Sequence, residues 1–235
     1  MRMTNDTVPY FAIASVFSKK RGELNRERQR MNIMTQEPPH DEVRDSIIQA
    51  VDKLYRIYGY KKTSVEDIAI ETRLSRSTIY LHFHSKEDIA LSWAEQFTNR
   101  IFQELRAIAD REAPPSLKLR DLLHGRIMLR LRFAQPYNKS VDDILAAIRF
   151  DLAELKAKFQ AIESSIFARV LQEGKDCGEF HFQDANETAA LLLLSTNSLL
   201  PSNLNPKLFE RPDQVEAIIL SLTDLLIRGL RFGKA

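Results

Sequence analysis

The chain has 235 residues, with 34 Lys and Arg against 32 Asp and Glu, a formal charge of +2. That length allows one or two domains with a proper core, and 44% hydrophobic with 28% charged residues excludes wholesale disorder. A single cysteine, Cys177, excludes an internal disulfide framework and a multi-cysteine zinc site. None of the seven glycines shares a phosphate-cradling spacing with another, so a P-loop and a dinucleotide fingerprint are absent. No Ser/His/Asp or Cys/His set is suggested by spacing. The expectation is a protein that is not an enzyme and needs no cofactor.

Residues 1–40 read as an appendage, with seven basic residues against four acidic. A basic arm of this kind adds non-specific phosphate attraction; alternatively, Met31 or Met34 is the working start. The apolar run Val8–Phe17 is shorter than the roughly 18 residues that span a bilayer. Its basic cluster, Lys19-Lys20-Arg21, follows the run, the reverse of a secretory signal. A cytoplasmic protein without a membrane partner is expected.

From Asp41 the pattern turns helical. Val43, Ile47, Val51, Leu54, Tyr55 and Tyr58 recur at spacings of three and four, with Gly59 as the stop. Thr63-x-x-Glu66 and Ser64-x-x-Asp67 offer two registers of a capping box for a short helix through about Thr72. Ser75 can cap a third helix to about Phe83. Ser85 can cap a fourth, carried on by Ile89, Trp93, Phe97, Ile101 and Leu105. Further helices are expected over roughly 116–135, 141–174, 185–200 and 213–232, the second long enough to be broken. Residues 189–194 are apolar on every side, and Val215, Ile218, Ile219, Leu222, Leu225, Leu226 and Leu230 form a broad stripe. Two such helices in succession suggest a dimer interface; filling their own core is the alternative.

Three helices in about 40 residues, the last two joined tightly, is the helix-turn-helix pattern. Ala69 allows close approach, Leu74 plugs the turn and Ile79 packs inward. Arg76, Ser77 and Thr78 open the third helix, where side chains meet base edges in the major groove. Arg76 can donate twice to a guanine, and Thr78 can hydrogen-bond or meet a thymine methyl. Thr63, Ser64, Ser75, Tyr80, His82 and Lys86 suit backbone phosphates. Residues 41–100 hold nine basic against ten acidic residues, yet none of the acids lies between Thr72 and Lys86. That narrow positive face fits a site-specific reader better than a general coater of DNA.

Residues 47–91 resemble the DNA-binding domain of TetR-family transcriptional regulators. The resemblance runs through Gly59-Tyr60, Thr63-Ser64-Val65-Glu66-Asp67-Ile68-Ala69 and Leu74-Ser75-Arg76-Ser77-Thr78-Ile79-Tyr80-Leu81-His82-Phe83, then Ser85-Lys86-Glu87. It places Arg76, Ser77 and Thr78 at base-reading positions, and Tyr80, His82 and Lys86 at backbone positions. Arg73 stands where the family usually has glycine, and His84 where it often has proline. The resemblance implies an all-α protein, with the helix-turn-helix head followed by a helical domain that binds a ligand and dimerises through its last two long helices. Gly178-Glu179-Phe180, then Asp184, resembles the approach to the first of these.

The expected organisation is an extension over 1–40, a DNA-binding domain over 41–88 and a ligand-binding, dimerisation domain over 89–235. Expected partners are a pseudo-palindromic double-stranded DNA operator, a second copy of the chain and a small-molecule effector. The effector's contacts are not legible. Arg126, Arg130, Arg132 and Arg149 suit either an anionic ligand or solvated helix faces, and Phe133, Tyr137, Phe150 and Phe159 either a cavity or plain core. No metal site is expected, because the His82-x-His84 pair does not share a helix face and lacks a third ligand. The competing function is a helical protein-interaction module that binds DNA without sequence preference.

Overall fold

A computed structural model of the chain describes residues 42–137, 141–148 and 152–232. The expected amino-terminal extension lies outside them, as do Arg149 and Phe150. Among the described residues there are ten α-helices and no strand. They are α1 (Glu42–Ile57), α2 (Val65–Thr72), α3 (Arg76–His82), α4 (Lys86–Asp110), α5 (Pro115–Ala134), α6 (Val141–Ala147), α7 (Leu152–Asp176), α8 (Ala185–Thr196), α9 (Pro206–Phe209) and α10 (Pro212–Phe232). Short 3-10 turns follow α5 (Gln135–Tyr137) and α8 (Asn197–Leu199). No helix among the described residues is long and apolar enough to cross a membrane.

Local chemistry sets the first four helices. Ile47, Ile48, Val51, Leu54 and Tyr55 form the buried face of α1. The helix ends two residues before Gly59, whose φ of +82° turns the chain away. Tyr58, expected on the buried stripe, therefore falls beyond the last turn and is exposed. Of the two capping registers at α2, the chain uses Ser64 with Asp67: each side chain bonds the other's backbone N–H. Ser75 and Ser85 cap α3 and α4, accepting from the Thr78 and Asp88 amides.

Three apolar clusters hold the helices together. The first joins α1, α2, α3 and the start of α4 around Val51, Tyr55, Ile68, Ile79, Phe83 and Trp93. Tyr137, Ile144 and Ile148 complete it from beyond α5, so the three-helix head is sealed by a segment about 45 residues past Trp93 in sequence. Polar contacts tighten that seal. The Tyr137 hydroxyl donates to Asp52 Oδ1, which also accepts from Trp93 Nε1 at 3.0 Å, while Arg56 Nε donates to the Tyr137 oxygen at 2.8 Å. Burial, then Asp52, pushes the Tyr137 hydroxyl well above the ordinary tyrosine range. Lys61 reaches Asp143 of α6 at 2.7 Å.

The second cluster packs α4, α5, α7 and α8 around Phe102, Leu105, Leu122, Phe167, Leu171 and Phe180, and the third packs α5 on α10 through Ile127, Leu131, Val215 and Ile219. The helix expected over 141–174 is divided into α6 and α7. Phe180 lies across Gly174 so closely that a Cβ there would overlap its ring. The apolar stripe of α10 is shared: Val215 and Ile219 are buried, whereas Ile218 and Leu225 are exposed, as are Leu191 and Leu194 of α8.

Candidate nucleic-acid interface

Helix α3 has one inward anchor, Ile79, which is fully buried. At about 100° per residue, Arg76, Tyr80, Ser77 and Leu81 share an arc of roughly 140°, and all four are exposed. Thr78 is half-buried at the edge, with its hydroxyl 2.8 Å from Ser75 Oγ. Ser75 Oγ also lies 3.0 Å from Ser77 Oγ, so a small hydroxyl cluster fixes the first turn. Arg76 meets Glu66 of α2 at 3.5 Å, with both side chains about 60% exposed. A pair so exposed is weak, and the guanidinium is readily exchanged onto another acceptor.

The turn between α2 and α3 forms without glycine. Arg73 takes the left-handed conformation, φ +57° and ψ +30°, and the Leu74 amide behind it donates to Ala69 O at 3.1 Å. For a residue with a Cβ this conformation costs roughly 1–2 kcal/mol. Arg73→Gly is therefore expected to raise stability by about 0.5–1 kcal/mol after the added freedom of the unfolded chain is counted. Calorimetry checks the gain. Salt-dependent DNA titration checks whether the exposed arginine also meets a phosphate, because its removal then flattens the slope by about one unit.

The far end of α3 is held by a residue that sequence reasoning missed. Arg44 of α1 donates to the His82 carbonyl at 2.8 Å and to Ser92 Oγ at 2.6 Å, with its guanidinium 4.1 Å above the Phe83 ring. It thus binds α1, α3 and α4 at once. Nothing local in the sequence pairs it with His82, 38 residues away.

The expected phosphate-contacting residues divide into two sorts. Tyr80 is exposed, His82 is half-buried, and Ser64 and Ser75 sit at exposed helix starts with their hydroxyls engaged in capping. Lys86 rests 4.2 Å over the Tyr60 ring at the start of α4. Its partial burial holds the ammonium below the usual lysine range, opposed by Glu87 and Asp67. The Tyr60 hydroxyl donates to Glu87 and is pushed up to about 12, first by burial and then by that carboxylate. Thr63 requires a correction. It is 1% exposed and its hydroxyl donates to Gly59 O at 2.9 Å, beside the backbone bond from its own amide to the same carbonyl. Its side chain has no surface oxygen for a phosphate.

Beyond the head, Arg126 and Arg130 of α5 converge on Glu163 of α7 at 3.3 and 2.9 Å, and Arg126 also donates to Thr196 and Asn197. Arg126, Glu163 and Thr196 are buried, and Arg130 and Asn197 are partly buried beside them. Arg132 belongs elsewhere: it lines a groove of about 250 Å³ between α4 and α5, with Ile108, His124 and Met128. Of the aromatics, Phe133 meets Phe97, Tyr137 meets Trp93 and Phe159 meets Phe102, each edge-on, as core aromatics do. Among the described residues no three His, Cys, Asp or Glu side chains gather closely enough to hold a metal ion.

A capped three-helix head with a tight turn and a third helix that is exposed along one face and carries no acid of its own is a helix-turn-helix DNA-binding unit. Residues 47–92 match the family of bacterial regulatory proteins named for TetR. That stretch, α1 to the start of α4, is therefore a DNA-binding head of the TetR type. The chain is 28% identical over 140 residues to the HTH-type transcriptional repressor KstR2 of Mycolicibacterium smegmatis, covering 58% of this chain and 67% of that protein. A TetR/AcrR-family regulator from Thermobifida fusca superimposes with a TM-score of 0.59 at 25% identity, over 80% of this chain and 98% of the other. A transcriptional regulator from Saccharomonospora viridis, crystallised with choline, has the same fold, with a TM-score of 0.58 at 22% identity over 79% and 97% of the two chains. The family regulates transcription by binding DNA, and its members are not enzymes.

Proposed function

We propose that this protein is a cytoplasmic homodimeric repressor that reads a pseudo-palindromic operator and is released by a small molecule. The observation that carries the reading is the outward face of α3, where Arg76 and Ser77 stand exposed on a helix start fixed by Ser75. Arg76, Ser77 and Thr78 read bases. Ser64, Ser75, Tyr80, His82 and Lys86 position the backbone, with the amides at the helix starts. In this reading 41–88 is the DNA-binding domain and 89–235 the ligand-binding and dimerisation domain.

Exposed Leu191, Leu194, Ile218 and Leu225 support self-association through α8 and α10. Leu225→Glu is expected to raise the dimer dissociation constant at least about 10-fold, since it buries a charge twice across a two-fold contact. Sedimentation equilibrium reads that change, and an unaltered dimer moves the interface elsewhere. The KstR2 relative, named as a repressor, supports the sign of regulation, and a protein of this fold that holds choline supports a small effector. A 100-fold release needs a coupling of roughly 2.7 kcal/mol between ligand and DNA. Helix α5 supports such coupling, because it carries the buried Arg126 and the partly buried Arg130 and runs directly into Tyr137 on the head.

Nuclease footprinting upstream of the protein's own gene at physiological salt, followed by selection from random-sequence duplexes, tests the proposal. A protected palindromic site, or an enriched palindrome, is the expected outcome. Binding without any enriched sequence would leave the interaction module as the better reading.

A further inference from the structure

We infer that Leu81 is a base-reading residue, packing against a thymine methyl in the major groove. The inference rests on the reading of α3 as the recognition helix. Leu81 is 82% exposed, more than any other large apolar side chain of the head. Its backbone position asks nothing of the side chain that a polar residue would not supply, because α3 is anchored inward by Ile79 and capped by Ser75. It lies four residues after Ser77 and beside Tyr80, so it continues the stripe that begins with Arg76. Four residues carry it about 6 Å along the axis, between one and two base-pair steps of about 3.4 Å. Leu81 therefore faces a different base pair, one or two steps from the one met by Ser77.

The chemistry there is selective. The major-groove edges of the bases present donors, acceptors and one apolar group, the C5-methyl of thymine. An exposed leucine can bury area favourably only against that methyl, and it offers nothing to a guanine or adenine edge. The surrounding charge favours this occupant over a protein surface: Arg73, Arg76 and Lys86 lie between Thr72 and Glu87 with no acid among them, and they outnumber Glu66, the carboxylate of α2 that meets Arg76. The face that presents Leu81 is thus the one drawn to phosphate.

Deoxyuridine differs from thymidine only by that methyl and serves as the probe. The full-length protein is first used to select its operator from random duplexes, and each thymine is then replaced in turn by deoxyuridine. Wild-type protein is expected to lose about 4-fold in affinity at one thymine per half-site, the effect of one buried methyl-sized group. Replacing both symmetry-related thymines should lose about 15-fold. In Leu81→Ala the same replacement should change affinity less than 2-fold, while other thymines keep their effects. Unchanged circular dichroism melting shows that the variant is folded, as its exposure and alanine's helix propensity require. An operator without a methyl-sensitive thymine, or a methyl effect of equal size in Leu81→Ala, overturns the assignment and leaves the operator reading standing. Selection that enriches no sequence overturns both.

Discussion

Glu163→Gln is expected to destabilise the protein by about 3–5 kcal/mol, the cost of stranding a buried ion-pair partner. The carboxylate is 5% exposed and faces the guanidinium groups of Arg126, itself 3% exposed, and Arg130. Burial holds Arg126 below the usual arginine range, and Glu163 is the chief influence opposing that. An arginine cannot escape by losing its proton under any working condition. With the carboxylate neutralised, the buried Arg126 and the partly buried Arg130 would both lose their shared anion. Glutamine keeps the shape and one acceptor oxygen, so the change isolates charge from packing. For a chain of this size each kcal/mol lowers Tm by roughly 2–4 °C, and calorimetry should show a drop of about 6–20 °C. Replacing Arg126, Arg130 and Glu163 together by methionines should restore most of that loss, because a matched apolar core can replace a buried ionic group at little cost. A single substitution that moves Tm by less than 2 °C would show that water or a conformational shift already solvates the arginines.

That cluster also shows where sequence reading stops. The head was legible because its determinants are local. Ser64 and Asp67, Ser75 and Thr78, and Ser85 and Asp88 are each three residues apart, and Ile79 declares itself by helical spacing. Even there a choice between Thr63 and Ser64 as the cap could not be made from spacing alone, and only the folded loop shows Thr63 turned back onto Gly59. Contacts between distant residues leave no such trace. Asp52 and Tyr137 are 85 residues apart, and Arg44 reaches His82 over 38. Arg126 and Arg132 look alike in the sequence, yet a difference of six positions on α5 sends one into the core and the other to the groove beside α4. Helical periodicity assigns a residue to a face. Which neighbour covers that face is a tertiary fact.

Arg76→Ala and Lys86→Ala are expected to weaken operator binding in two distinguishable ways. Arg76 is exposed, paired weakly with Glu66, and stands in the first turn of α3 where the fork of its guanidinium can take both acceptors of a guanine. Its loss should cost about 1–3 kcal/mol, or roughly 5- to 150-fold, and relax preference at one base position in each half-site. Lys86 is held over Tyr60 at the start of α4, away from the first turn of α3, as a single charge able to meet a phosphate. Its loss should lower affinity for all sequences alike and flatten the slope of log affinity against log salt by about one unit. Glu66→Gln adds a test of direction. Releasing Arg76 from its carboxylate and removing a negative charge beside the DNA should tighten binding, by less than about 1 kcal/mol at this exposure. Binding measured on the selected operator, on single-base variants and across salt separates the three. If Arg76→Ala and Lys86→Ala relax specificity equally, or if only Lys86→Ala does so, the division between base reading at α3 and backbone contact at α4 is wrong, and the docking of the head on DNA must be rotated accordingly.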